Sequence, residues 1–257
     1  MAVERGKVRV GTIRYNKDGS KILPSYPNFE PIEVMTASTK YGSLGPYQLR
    51  TEKGYIMENV WQFSKIYRKV PAITQHYSRW DKKVIWQYPE KQHVNNQSEV
   101  TLEYFKWRME GYRNPYAVRY PVGYADRSAC LGCIWDTSLS IEENICPSKG
   151  TVMDYVTSRQ VIYLPVYRTL ARAAPQFSQL KKKLEAGTNL LIMEVDGPQS
   201  QAMDYYQKTY GVSSDWISSN SVEMNKDTFQ IMLNDTRYSF GHGYCLAQAL
   251  LDEKDEW

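Results

Sequence analysis

"SLGPYQLRTEKGYIMENVWQFSKIY", residues 43–67, runs from turn-forming residues into a segment where Glu58, Gln62 and Lys65 punctuate bulky apolar side chains. On a helix over residues 57–69, at about 100° per residue, Met57, Val60, Trp61, Phe63, Ile66 and Tyr67 spread around most of the circumference. Glu58, Gln62, Lys65 and Lys69 instead share one narrow sector, at spacings of four, three and four. A helix that is apolar nearly all round is buried, so this thin polar edge is expected to face a cleft or a partner rather than bulk water. A buried carboxylate needs hydrogen bonds or a counter-charge, and Lys65 can supply one. The same spacing also suits an internal Glu58–Lys65 pair that satisfies only itself.

Working outward, "VRVGTIRY" (8–15) alternates as a strand does and "KDGS" follows as its turn. Residues 43–59 read as a strand and turn leading into the opening helix. "EVTLEYFKWRMEGYR" (99–113) reads as a helix stopped by Asn114-Pro115. "VIYLPVYRTLARAA" (161–174) begins strand-like and turns helical, and "FSQLKKKLEAG" (177–187) is a helix closed by Gly187. "NLLIMEVDGP" (189–198) is the clearest buried strand. "SQAMDYYQKTYG" (200–211) reads as a helix, "TFQIML" (228–233) as a strand and "HGYCLAQALLDEK" (242–254) as a final helix. Helices and short strands mix without strict βα alternation, which predicts α+β architecture in a single compact domain over residues 1–257.

Bulk properties narrow the class. With 257 residues, 42% hydrophobic and 23% charged, the chain can bury a substantial core. A net charge of +4 is too small to mark a nucleic-acid binder by itself. No apolar run approaches the roughly 20 residues of a membrane span, and "MAVERGKVRV" carries charge where a signal peptide is apolar. The expectation is a cytoplasmic protein with no membrane partner. The 21 tyrosines and 7 tryptophans suit half-buried walls and flat-ligand pockets alike. The four cysteines are too few for a disulfide scaffold. Cys130 and Cys133 form a CxxC pair without a second pair at zinc spacing, so the cysteines read as reduced and structural, and neither metal nor cofactor is expected. His76 and His93 show no partner in the sequence. "LKKKLEAG" reads as a solvated basic face, and Glu194 and Asp196 either line a cleft or end their strand.

The segment 43–67 resembles the signature of the NADAR (YbiA-like) superfamily, in which a turn precedes a helix carrying Glu-x-x-x-Gln-x-x-Lys. Glu58, Gln62 and Lys65 match that helix in register, and Ser43, Leu44, Gly45, Pro46 and Tyr47 stand at the turn. The family's second motif, an Asp followed by Trp-Gly-x-Gly and a Leu-Gly-x-x-Leu helix, is similar to residues 235–251: Asp235, then Phe240-Gly241-His242-Gly243, then Leu246-Ala247 and Leu250. Here the tryptophan is a phenylalanine, the aspartate lies two residues farther away, the last glycine is an alanine and the turn lacks its asparagine.

The resemblance implies a NADAR-like α+β fold and a hydrolase that cleaves the bond between ribose C1 and nitrogen, in a nucleotide or an ADP-ribosyl-modified nucleobase such as ADP-ribosyl-guanine. Such cleavage builds positive charge on the sugar, which a carboxylate stabilises while orienting or deprotonating water. Glu58 takes that role, with Asp235 as second carboxylate or loop fixer. Lys65 would neutralise a phosphate, and Gln62 would bond a ribose hydroxyl or base edge. Gly241 and Gly243 would let backbone approach the ligand, at a helix N-terminus suited to phosphate; an ordinary strand-to-helix turn needs the same glycines. His242 reads as a pocket donor or a helix cap, and Arg119 in "NPYAVRYPVG" as a phosphate or base contact or a packed arginine. Trp61, Tyr47 and Phe240 complete the expected substrate-binding set. Two other readings stand beside this one: a non-catalytic ADP-ribose or nucleotide-binding module, and an enzyme acting directly on nucleic-acid bases. Oligomeric state is not legible.

Overall fold

Along the chain the principal elements are β1 (Val8–Thr12), β2 (Glu30–Glu33), α1 (Met57–Ser64), β3 (Lys65–Tyr67), α2 (Leu102–Tyr112), β4 (Cys130–Trp135) and β5 (Thr151–Met153). They continue with α3 (Leu164–Ala173), α4 (Pro175–Glu185), β6 (Leu190–Glu194), α5 (Met203–Tyr210), β7 (Ser221–Glu223), α6 (Lys226–Asn234) and α7 (His242–Leu251). This computed structural model describes residues 4–35, 38–68, 84–85, 92–147 and 150–257. Helices and several small sheets mix as the sequence predicts. The contacts group the chain into two compact units: Met1–Gly45 with Tyr167–Trp257, and Pro46–Val166.

The first unit is organised by a four-stranded sheet in the order β7-β1-β6-β2. β6 runs parallel to both neighbours, with Thr12 opposite Glu194 in β1 and Ile192 opposite Ile32 in β2, while β7 is antiparallel to β1. All five residues of β6 are buried. A central parallel strand covered on both faces needs an unbroken apolar run rather than alternation, and that is why "LLIM" was legible as a strand. α7 packs on β1 and β6, and α4 and α6 pack on α7. The Tyr167 hydroxyl donates to Leu44 O at 2.8 Å, tying α3 to the Gly42–Leu44 turn.

In the second unit β3, β4 and β5 form an antiparallel sheet, with α1 packed on α2, β3 and β4. α1 meets α2 closely: a Cβ on Gly111 would lie 2.0 Å from the Phe63 ring, and Phe63 packs 4.4 Å from Trp107, centroid to centroid. Two polar side chains act as internal struts. Asn59 donates to Asn114 O and Tyr116 O and accepts from Val118 N–H. Arg108, fully buried, donates to Asn144 O, Ile134 O and the Tyr104 and Tyr112 hydroxyls, so its charge is solvated by protein oxygens.

Four local expectations are corrected. Residues 228–233 are helical within α6, because the Asn225 side chain accepts from Thr228 N–H and Asp227 sits in the first turn. Residues 161–174 contain no strand: a π-helical segment Arg159–Tyr163 runs directly into α3, meeting Pro165, which has no N–H to give back to the preceding turn. Instead of the strand expected within 43–59, there is a short 3₁₀ turn, Gly42–Leu44, and a bridge between Arg50 and Ile56. Finally, α1 stops at Ser64, and Lys65 turns extended at φ −74°, ψ 142°. Among the described residues, no helix is long and apolar enough to cross a membrane.

Candidate functional site

All eight residues of α1 are buried, Glu58 and Gln62 among them. Glu58 lies in the first turn, where a carboxylate opposes the helix dipole favourably. Its Oε1 accepts from Gln62 Nε2 at 2.9 Å, and Gln62 Oε1 accepts from Lys65 Nζ at 3.0 Å. The acid and the ammonium are thus joined through the amide, which fixes which end of Gln62 points where. Although Lys65 has left the helix, its half-buried side chain returns to the row and places Nζ 4.8 Å from the Trp61 ring centroid. Trp61 also meets Tyr163 at 5.2 Å and Tyr155 at 6.0 Å. Arg159, in the π-helical segment, stacks over Tyr155 at 4.3 Å. The second unit therefore gathers an acid, an amide, two bases and three aromatic rings along α1. Lys69, the fourth residue of the predicted stripe, lies outside the described residues.

In the first unit, the Phe240–Gly243 segment is built around Glu194. Glu194 stands at the carboxyl end of β6 and is almost fully buried. Its Oε2 accepts from Gly243 N–H at 2.7 Å and lies 3.2 Å from His242 Nδ1, and its Oε1 accepts from Val195 N–H at 2.7 Å. A Cβ on Gly241 would fall 2.4 Å from the Glu194 carboxyl carbon, and one on Gly243 would fall 3.1 Å from Oε2. The glycines make room for a side chain of this chain, and the N-terminus of α7 is already met by a carboxylate. His242 Nε2 lies 3.3 Å from Val34 O, so both ring nitrogens face acceptors.

The remaining predicted residues fall as follows. Asp235 is buried and accepts from the Tyr205 and Tyr206 hydroxyls at 2.8 and 2.6 Å and from Arg237 N–H, an arrangement that fixes the loop leading to Phe240. Phe240 stacks on Tyr244 at 5.7 Å within the core. Arg119 is half-buried over Tyr120 at 5.1 Å. Tyr47, half-buried, gives its carbonyl to Arg50. The structure brings Glu58, Trp61, Gln62 and Lys65 together in one unit, and Phe240, Gly241, His242 and Gly243 in the other. Sequence reading left three contributors outside the site: Arg159, Tyr155 and Tyr163. They stand four residues apart, which is helical spacing, but residues from 161 onward read as strand-like and so hid the shared face.

His93 has a partner after all. Its Nδ1 accepts from Tyr67 N–H at 3.0 Å, its ring packs 4.3 Å from Trp107, and burial lowers its pKa to about 3, so it is a neutral core acceptor. His76 lies outside the described residues. Comparison of the chain with protein-family models, with curated proteins and with solved structures finds no match.

Proposed function

We propose that the chain binds a ribosyl nucleotide at the Glu58–Gln62–Lys65 row and hydrolyses its bond between ribose C1 and nitrogen. The observation that carries this reading is the row itself: an acid and an amide on a helix whose every residue is buried, hydrogen-bonded in sequence to a base just past its end. The Glu58 carboxylate would stand against the sugar as positive charge grows on it and would orient or deprotonate the attacking water. Lys65 would take a phosphate as a compact cation, with Trp61 shielding one side of it. Gln62, which spans the two, would exchange one of its internal bonds for a ribose hydroxyl or base edge.

A second reading, a nucleotide or ADP-ribose binding module without turnover, is favoured by one observation: Glu194 already occupies the space beside Gly241 and Gly243. Incubation with NAD, ADP-ribose, N-ribosyl nucleotides and guanine-ADP-ribosylated DNA, followed by chromatography, separates the readings. Release of a free base or of ADP-ribose is the outcome expected for a hydrolase. Calorimetric binding without product would establish the module, and neither binding nor product would overturn both.

A further inference from the structure

We infer that Cys130 and Cys133 form a redox-active dithiol, with Cys130 as the attacking thiol, Cys133 as the resolving one, and a small-molecule disulfide as the oxidant. In β4, Cys133 pairs with Lys65 and Gly132 with Ile66, but Tyr67 pairs with Cys130, so the ladder slips by one residue at Leu131. Three positions apart on an even strand, the two thiols would point to opposite faces. The bulge leaves them opposite residues two apart in β3, and therefore on one face. Two strand positions span about 6.6 Å, at the upper end of what a disulfide bridges.

The distortion is held by Gly132 at φ +153°, where a Cβ would lie 2.6 Å from Met153 O. Lys65, directly across from Cys133, faces the same side. Cys130 is half-buried beside exposed Leu131, whereas Cys133 is fully buried behind it. Reagents can therefore reach one sulfur of the pair and not the other.

Chemical asymmetry follows the same order. A hydrogen bond from Cys133 is the largest influence on the Cys130 thiol; burial opposes it, and Lys65 and backbone at Gly132 and Ile66 add to it, bringing its pKa down to about 6. Burial raises the Cys133 thiol instead. At neutral pH the accessible sulfur is a thiolate and its partner keeps its proton. The thiolate attacks one sulfur of RSSR and expels RS⁻, leaving a mixed disulfide on Cys130. That RS⁻ takes the Cys133 proton, and Cys133 then attacks the Cys130 sulfur and expels the second RS⁻. The Cys130 thiolate and the Cys133 thiol become one disulfide while RSSR is reduced to one RSH and one RS⁻, the latter taking its proton from solvent.

The test is peptide mapping of the full chain after exposure to oxidised glutathione, with exposed Cys146 as the internal comparator. The wild type is expected to carry a Cys130–Cys133 bridge and to retain no glutathione at either residue. Cys133→Ser should trap the mixed disulfide on Cys130, and iodoacetamide should label Cys130 about tenfold faster than Cys146 at neutral pH. Free thiols at 130 and 133 in the treated wild type, or labelling of Cys130 no faster than Cys146, would overturn the inference even if the serine variant fails to fold.

Discussion

A methyl group at residue 241 would collide with the Glu194 carboxyl carbon at 2.4 Å, whereas at residue 243 the nearest atom would be Oε2 at 3.1 Å. Gly241→Ala is therefore expected to lower stability by about 1–3 kcal/mol through overpacking and displacement of a buried carboxylate. Gly243→Ala should cost less, and urea unfolding of the two variants side by side reads the difference. Equal losses would mean that Glu194 does not set the spacing of this motif. Lys65→Met makes a second residue-scale prediction, because the ammonium acts on two neighbours. Affinity for phosphate-bearing ligands should fall about tenfold or more, and the midpoint of Cys130 alkylation should move upward from about 6. At this scale Glu58, Gln62 and Lys65 were legible because a polar stripe on an apolar helix stands out. Glu194 reads from the sequence as an acid that either lines a cleft or ends its strand, and nothing local reveals which loop returns to cover it.

Elements were read well where period and caps agree and badly where they compete. α2, α4, α5 and α7 carry helical spacing, and β6 is an apolar run of strand length. "TFQIML" was misread because its β-favouring residues outweighed a cap lying three residues upstream: Asn225 accepts from Thr228 N–H at 2.8 Å. Asn225→Ala should cost about 1 kcal/mol of stability and Asn225→Ser should recover most of it, as followed by thermal unfolding. A loss unaffected by the serine would place the cost elsewhere than the cap. The early end of α1 was hidden for another reason. Ser64 returns its hydroxyl to Val60 O, and Lys65–Tyr67 pair with β4, a partner some 65 residues away that no local pattern announces.

Across the whole molecule, the mixing of helices and strands was legible, because helical and strand patterns follow one another along the chain. The second unit, Pro46–Val166, has no compositional boundary: its core is cut from the same aromatic-rich sequence as the rest. That core carries the chain's sharpest pH prediction. His93 is held neutral by burial, with a folded pKa of about 3 against 6.5 ordinarily. Between those values the unfolded chain binds a proton that the folded chain does not, so stability is complete above about pH 6.5 and falls as pH drops toward 3. The slope is at most about 1.4 kcal/mol per pH unit. His93→Gln keeps an acceptor for Tyr67 N–H and should remove one proton's worth of that slope; an unchanged slope would show that His93 titrates freely in the fold.

If the buried acid of α1 does chemistry at a bound ribosyl ligand, Glu58→Gln separates turnover from binding. The amide keeps an acceptor for Gln62 Nε2, so the row should persist. Measured together on the same ligand, affinity should stay within a few-fold while turnover falls by about 10²-fold or more. Turnover equal to that of the wild type, in a folded variant that still binds, would mean that Glu58 plays no part in bond cleavage.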